Sequence, residues 1–157
     1  LHLSIRRQRQ MCIRDRDFMA IVELSDKGHT PYDRILGHVP KIYENWIALG
    51  DVLKKEEFLS AELKEEIRKM LAQNNNCLYC KAKGRPEKKF IDDKSIICIG
   101  FVDVFITQKG IMPKSSIELL KENLTEQEMV ELFVYITFTN CQHQFGSLMS
   151  LQPEDGQ

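Results

Sequence analysis

Apolar residues along this chain recur at intervals of three and four, and no convincing run of strict alternation appears, so the sequence is patterned for helices rather than sheets. After Pro40, Ile42, Tyr43, Trp46, Ile47, Leu49 and Leu53 line one face. Behind Ser60, Leu63, Ile67, Met70 and Leu71 line a second, with Lys64/Arg68 and Glu65/Lys69 expected on the other faces. Met129, Phe133, Ile136, Cys141, Phe145 and Leu148 continue along a third. The punctuation agrees. Thr30-Pro31 places a capping hydroxyl before a proline whose missing N–H costs nothing at a helix start, and a short helix to Gly37 is expected there. Ser60 can cap the next long helix, and Thr125-x-x-Glu128 is a capping box. Asn74-Asn75-Asn76 and Gly84-Arg85-Pro86 are stops. The segment from Ile96 to Ile106 is ambiguous, because its β-branched residues favour a strand. Its length, the internal Gly100 and Asp103, and Lys109-Gly110 behind it fit a buried helix better. A turn from Pro113 and a short helix over Ser116 to Leu120 complete the reading. The expected class is all-α, with about six or seven helices.

Composition narrows the function classes. With 157 residues, 43% of them apolar, the chain can bury one core. No stretch approaches the ~20 apolar residues of a membrane-spanning helix. The net charge of −1 hides an uneven distribution, since residues 1–16 carry Arg6, Arg7, Arg9, Arg14 and Arg16 against Asp15 alone. Taken at face value this is a basic arm for nucleic acid, or a leader. However, Met11-Cys12-Ile13-Arg14-Asp15 back-translates to ATG TGT ATA AGA GAC, which resembles the transposase adapter of sequencing libraries. Residues 1–18 are therefore read as an artefact, and 19–157 as a single domain starting at Met19. Setting aside five arginines and two aspartates leaves 17 basic and 21 acidic residues, a net charge of −4. Nucleic acid and anionic membranes are then not expected partners. Four cysteines remain, Cys77, Cys80, Cys98 and Cys141, without the features of a secretory signal, so a reducing cytoplasm is expected.

Cys77-Leu78-Tyr79-Cys80 is the one chemically loaded spacing. Two thiols three positions apart at the start of a helix are close enough to form a disulfide, and a thiolate there feels the partial positive charge of unpaired N–H groups. The pair is a candidate redox dithiol. Two other readings stand beside it. Structural zinc needs four ligands, and neither a second CxxC nor a short His pair is present. The cysteines could also be plain half-buried packing, which is the favoured reading for Cys98 and Cys141 in their apolar runs.

At this point the chain resembles the AhpD-like alkylhydroperoxidase and carboxymuconolactone decarboxylase superfamily. The resemblance rests on Tyr32-Asp33-Arg34-Ile35-Leu36-Gly37-His38-Val39-Pro40, on Leu63-Lys64-Glu65-Glu66-Ile67, on the Asn-rich break followed by Cys77 to Gly84, and on Glu128 through Gly146. It implies an AhpD-like helical domain with the CxxC at a helix N-terminus. The family's signature also places a glutamate twelve positions before the first cysteine, which is Glu65 here. It implies that Cys80 attacks a hydroperoxide, that Cys77 resolves the product as a disulfide, and that a dithiol such as a lipoyl group or a thioredoxin-like protein re-reduces it. No metal or organic cofactor is implied, and assembly into a homotrimer or homohexamer is. The signature's histidine, four positions after the second cysteine, is replaced by Gly84, which cannot shuttle a proton. Three repairs are open: His143 from the last helix, Glu65 acting through water, or a thiol acidified by the helix terminus. On its own, His143 between Gln142 and Gln144 reads as a surface histidine, and Glu65 as a helix carboxylate paired with Lys69. The alternative function is a catalytically weakened redox-sensing or scaffold protein. Lactone decarboxylation is suggested only by the family's name, and the retained cysteines argue against it.

Overall fold

A computed structural model describes residues 20–153. Among these residues there are seven helices and no strand. They are α1 (Pro31–Leu36), α2 (Pro40–Lys54), α3 (Ala61–Asn74), α4 (Leu78–Ala82), α5 (Asp93–Thr107), α6 (Lys114–Asn123) and α7 (Glu126–Leu148). The segment 1–18 read as an artefact and the last four residues lie outside the described residues. No described helix is long and apolar enough to cross a membrane.

The helix boundaries follow from caps. Thr30 and Asp33 form a reciprocal capping box at α1, and Thr125 and Glu128 form another at α7. The Ser60 hydroxyl accepts the Leu63 N–H at 3.2 Å, and the Asp92 carboxylate accepts the Ser95 N–H at 2.8 Å. The ambiguous apolar segment is helical. α5 ends where Lys109 and Gly110 take positive φ (53° and 84°), letting the Gly110 N–H reach the Phe105 carbonyl. α6 is longer than expected, starting at Lys114 rather than Ser116.

α3 packs against both α5 and α7. Ile67, Leu71, Cys98, Val102, Leu120, Leu132 and Ile136 form the main core between these helices and α6. A smaller second core gathers Tyr32, Ile35, Leu36, Ala72, Cys77, Tyr79, Cys80 and Leu151. Its edge is sealed where the Ile21 N–H donates to the Met149 carbonyl at 2.9 Å.

Three expectations about faces are corrected. On α7, Ile136 of the expected stripe is buried and Met129, Phe133 and Phe145 pack against the cores, but Cys141 and Leu148 are exposed, and Leu132, Tyr135, Thr139, His143 and Gly146 complete the inner face instead. Cys141 is exposed, so its reading as inert core does not hold, whereas Cys98 is fully buried. The error has a physical origin: α7 is apolar on several sides, so apolar spacing alone does not select its inner face. On α2, Ile42 and Leu49 of the expected stripe are exposed, and Gly50 is the residue that is buried. On α3, Lys64 of the expected polar faces is buried, and so is Glu66.

Lys64 owes its burial to Glu131 of α7. Its Nζ donates to Glu131 Oε1 and to the Lys55 carbonyl, both at 2.5 Å. Glu131 Oε2 accepts the N–H groups of Phe58 and Leu59 at 3.0 and 2.8 Å. One carboxylate therefore joins α3, α7 and the loop between α2 and α3. Breaking such a pair strands a buried charge. Glu131→Ala is expected to lower the unfolding free energy by about 3 kcal/mol. Urea titration checks this, and a loss below about 1 kcal/mol would show that the pair behaves like an exposed one.

Candidate redox site

The Asn-rich break forms the ledge on which the cysteines sit. α3 stops at Asn74, and the Asn75 side chain donates to the Leu71 carbonyl at 2.7 Å and to Asn140 Oδ1 of α7 at 3.1 Å. Cys77 then stands at the N-cap of α4, its Sγ accepting the Cys80 N–H at 3.2 Å. Cys77 and Cys80 are at disulfide distance, with their Cα atoms 5.3 Å apart. The two sulfurs are not equivalent. Cys77 is sealed (0% exposed), whereas Cys80, at 5%, lines a cavity of about 290 Å³.

Gly146 makes room for the pair. A Cβ at this position would lie 2.6 Å from Cys77 Sγ and 3.4 Å from Cys80 Sγ, so α7 can press its backbone against the sulfurs only because no side chain intervenes. Sequence reasoning did not single out Gly146 as a site residue. The signal was present, since a glycine inside a helical pattern costs helix stability and usually has a packing reason.

His143 lies one turn earlier on α7 and lines the same cavity as Cys80. It is buried, contrary to the surface reading, and its Nδ1 has no hydrogen-bond partner among the described residues. Burial, and then the positive charges of Arg68 and Lys83, push its pKa from the usual 6.5 down to about 4. The imidazole is therefore neutral at pH 7 and keeps a lone pair for a proton.

Glu65 is placed differently. Its half-exposed carboxylate is held by Arg68 in a two-pronged bridge, Nε and Nη2 each at 2.8 Å, rather than by Lys69. Burial pushes its pKa up, but the hydrogen bond and charge of Arg68, helped by Lys69 and Lys54, outweigh this and hold it below the usual carboxylate range. Glu65 does not line the cavity. It reaches the site through Arg68, which does, and whose Nη2 also donates to the Lys83 carbonyl at 2.9 Å. Arg68, Lys83 and Tyr79 are the other site residues the sequence did not single out. Lys83 Nζ sits 4.1 Å over the Tyr79 ring, a cation–π contact at the cavity wall.

Gly84 has φ +114°, and its carbonyl accepts the Gln73 side-chain N–H at 3.1 Å. A histidine there would be strained, because side chains with a Cβ rarely adopt this conformation. Among the described residues no three His, Cys, Asp or Glu side chains cluster in a way that could hold a metal ion. A larger groove of about 460 Å³ between α2 and α7 is lined by Val52, Phe58, Val130 and Val134 and contains no thiol or histidine. In comparisons with known proteins, no family model and no curated protein matches the chain.

Two outcomes test this geometry. Gly146→Ala is expected to destabilise the protein by about 1–3 kcal/mol through overpacking on the sulfurs. Gly100→Ala, also within a helix but with nothing within 4 Å of the new Cβ, should instead stabilise it by up to about 1 kcal/mol. Thermal unfolding of both variants checks the contrast. Because the folded-state pKa of His143 is depressed, its contribution is fully present above about pH 6.5 and is lost as pH falls towards 4. His143→Gln should therefore flatten the pH dependence of stability between those values. An unchanged slope in pH-resolved denaturation would place the imidazole in water.

Proposed function

We propose that this protein is a dithiol oxidoreductase that reduces hydroperoxides through a Cys77/Cys80 disulfide cycle, as the resemblance to the AhpD-like superfamily implies. The observation that carries the reading is the asymmetry of the pair: Cys80 opens onto a cavity shared with a neutral histidine whose Nδ1 has no partner among the described residues, while Cys77 is sealed behind it. Cys80 attacks the terminal peroxide oxygen, the O–O bond breaks, and the thiol proton passes through His143 to the leaving alkoxide. The products are an alcohol and a Cys80 sulfenic acid. The Cys77 thiol then attacks the sulfenic sulfur, releasing water and closing the disulfide. An external dithiol, such as a lipoyl group or a thioredoxin-like protein, returns two electrons and two protons. Glu65 contributes by fixing Arg68 beside the cavity.

A second reading is favoured by Gly84, whose left-handed backbone would strain the signature histidine. In it the pair switches between dithiol and disulfide as a sensor or scaffold without fast turnover. Consumption of cumene hydroperoxide with reduced lipoamide as donor separates the two. Wild type should turn over, with Cys80→Ser and Cys77→Ser each slower by about a hundredfold or more. Wild type no faster than both variants, with the disulfide still forming reversibly, would leave the sensor. Assembly into a homotrimer or homohexamer, which the same resemblance implies, is part of the proposal.

A further inference from the structure

The disulfide form is the state that meets the reductant, so the surroundings of Cys80 Sγ in that state describe what the reductant must carry. Cys80 is the sulfur within reach of the cavity, which three cations, Lys54, Arg68 and Lys83, also line. Arg68, 17% exposed, spends Nε and Nη2 on Glu65 and the Lys83 carbonyl, and Nη1 has no hydrogen-bond partner among the described residues. Lys83 is exposed, is held over the Tyr79 ring, and forms no ion pair among the described residues. The acidic residues at the cavity are already engaged. Asp33 is committed to the α1 capping box, accepting the Thr30 N–H at 3.1 Å, and Asp51 pairs with Lys54 at 3.6 Å. The cavity thus has one lysine, Lys83, without an ion-pair partner among the described residues, a guanidinium with Nη1 free beside it, an aromatic wall and one reachable sulfur.

We infer that the cavity binds a small acidic dithiol as reductant, with Lys83, assisted by the free Nη1 of Arg68, holding its carboxylate while one of its thiolates attacks Cys80 Sγ. This rests on the disulfide cycle proposed above. The attack forms a mixed disulfide with Cys80 and breaks the Cys77–Cys80 bond, and the electron pair leaves on Cys77. That leaving thiolate is stabilised where it sits, because Cys77 Sγ accepts the Cys80 N–H at the α4 cap. The reductant's second thiol, after losing its proton, attacks the mixed disulfide and departs as a cyclic disulfide. Both protons from the dithiol end on Cys77 and Cys80.

The test compares dihydrolipoate with dihydrolipoamide, two dithiols that differ in a carboxylate against a neutral amide. Each is mixed with the oxidised full chain, and the rate of Cys77–Cys80 reduction is read by acid quench, alkylation and mass. A Cys-Leu-Tyr-Cys peptide disulfide corrects for intrinsic reactivity. Because no peroxide is present, the result is independent of whether the protein turns over hydroperoxides. The carboxylate should confer about a fivefold faster reduction, the scale of one or two half-exposed charge contacts. The preference should shrink in 0.5 M salt, roughly a regime where exposed charges are screened, and in Lys83→Met, while Lys83→Arg retains it. Equal corrected rates for the two dithiols, or a preference unchanged in Lys83→Met and in salt, overturn the inference. Loss of peroxidase activity alone would leave it standing.

Discussion

The buried pair of Lys64 and Glu131 fixes how α3 and α7 lie together, and the redox site depends on that contact. Lys64 is 1% exposed and its ammonium has one carboxylate and one carbonyl for company. An ammonium in such a place is tolerated only with its partner present, so the two helices are held in one register. Further along the same contact, Gly146 of α7 meets the two sulfurs, and Asn140 of α7 holds Asn75 at the end of α3. A shift of one helix against the other would disturb all three. The position of the dithiol is thus a consequence of helix packing as much as of the CxxC itself.

The proposed chemistry follows from unequal burial. Cys77 is enclosed by Gly146, Leu151 and its own helix cap, which suits a resolving thiol and a leaving group. Among the described residues Cys80, not Cys77, lines the cavity, which also holds an imidazole kept neutral by burial and by two cations. The same cations that depress the histidine would stabilise negative charge arriving near the sulfur. A histidine at position 84 would be strained by the positive φ there, and His143, from a different helix, lines the cavity that Cys80 opens onto.

Much of the architecture was legible because it is written in caps and breaks. Thr30-Pro31, Ser60, the Asn-rich stop and the Thr125/Glu128 box each mark a real boundary. α5 could be read as a helix despite its β-branched residues because Lys109-Gly110 supplies the left-handed turn that ends it. Faces were less legible. α7 buries Glu128, Thr139, His143 and Gly146, and such residues carry no hydrophobic signal. Lys64 is buried through a partner 67 positions away, which local periodicity cannot show. For the site, the CxxC and His143 were visible as residue types, while Arg68, Lys83 and Gly146 acquire meaning only once three helices converge. Glu65 was visible too, but its carboxylate acts on Arg68 rather than at the cavity.

The account stands on Cys80 being the sulfur that meets the oxidant. Reduced Cys77→Ser protein, treated with one equivalent of cumene hydroperoxide in the presence of dimedone and then digested for mass analysis, tests this directly. The prediction is a dimedone adduct on Cys80 that forms faster in the folded protein than in urea, and no comparable adduct on the exposed Cys141. Labelling of Cys80 no faster when folded than when unfolded, or labelling dominated by Cys141, would contradict it.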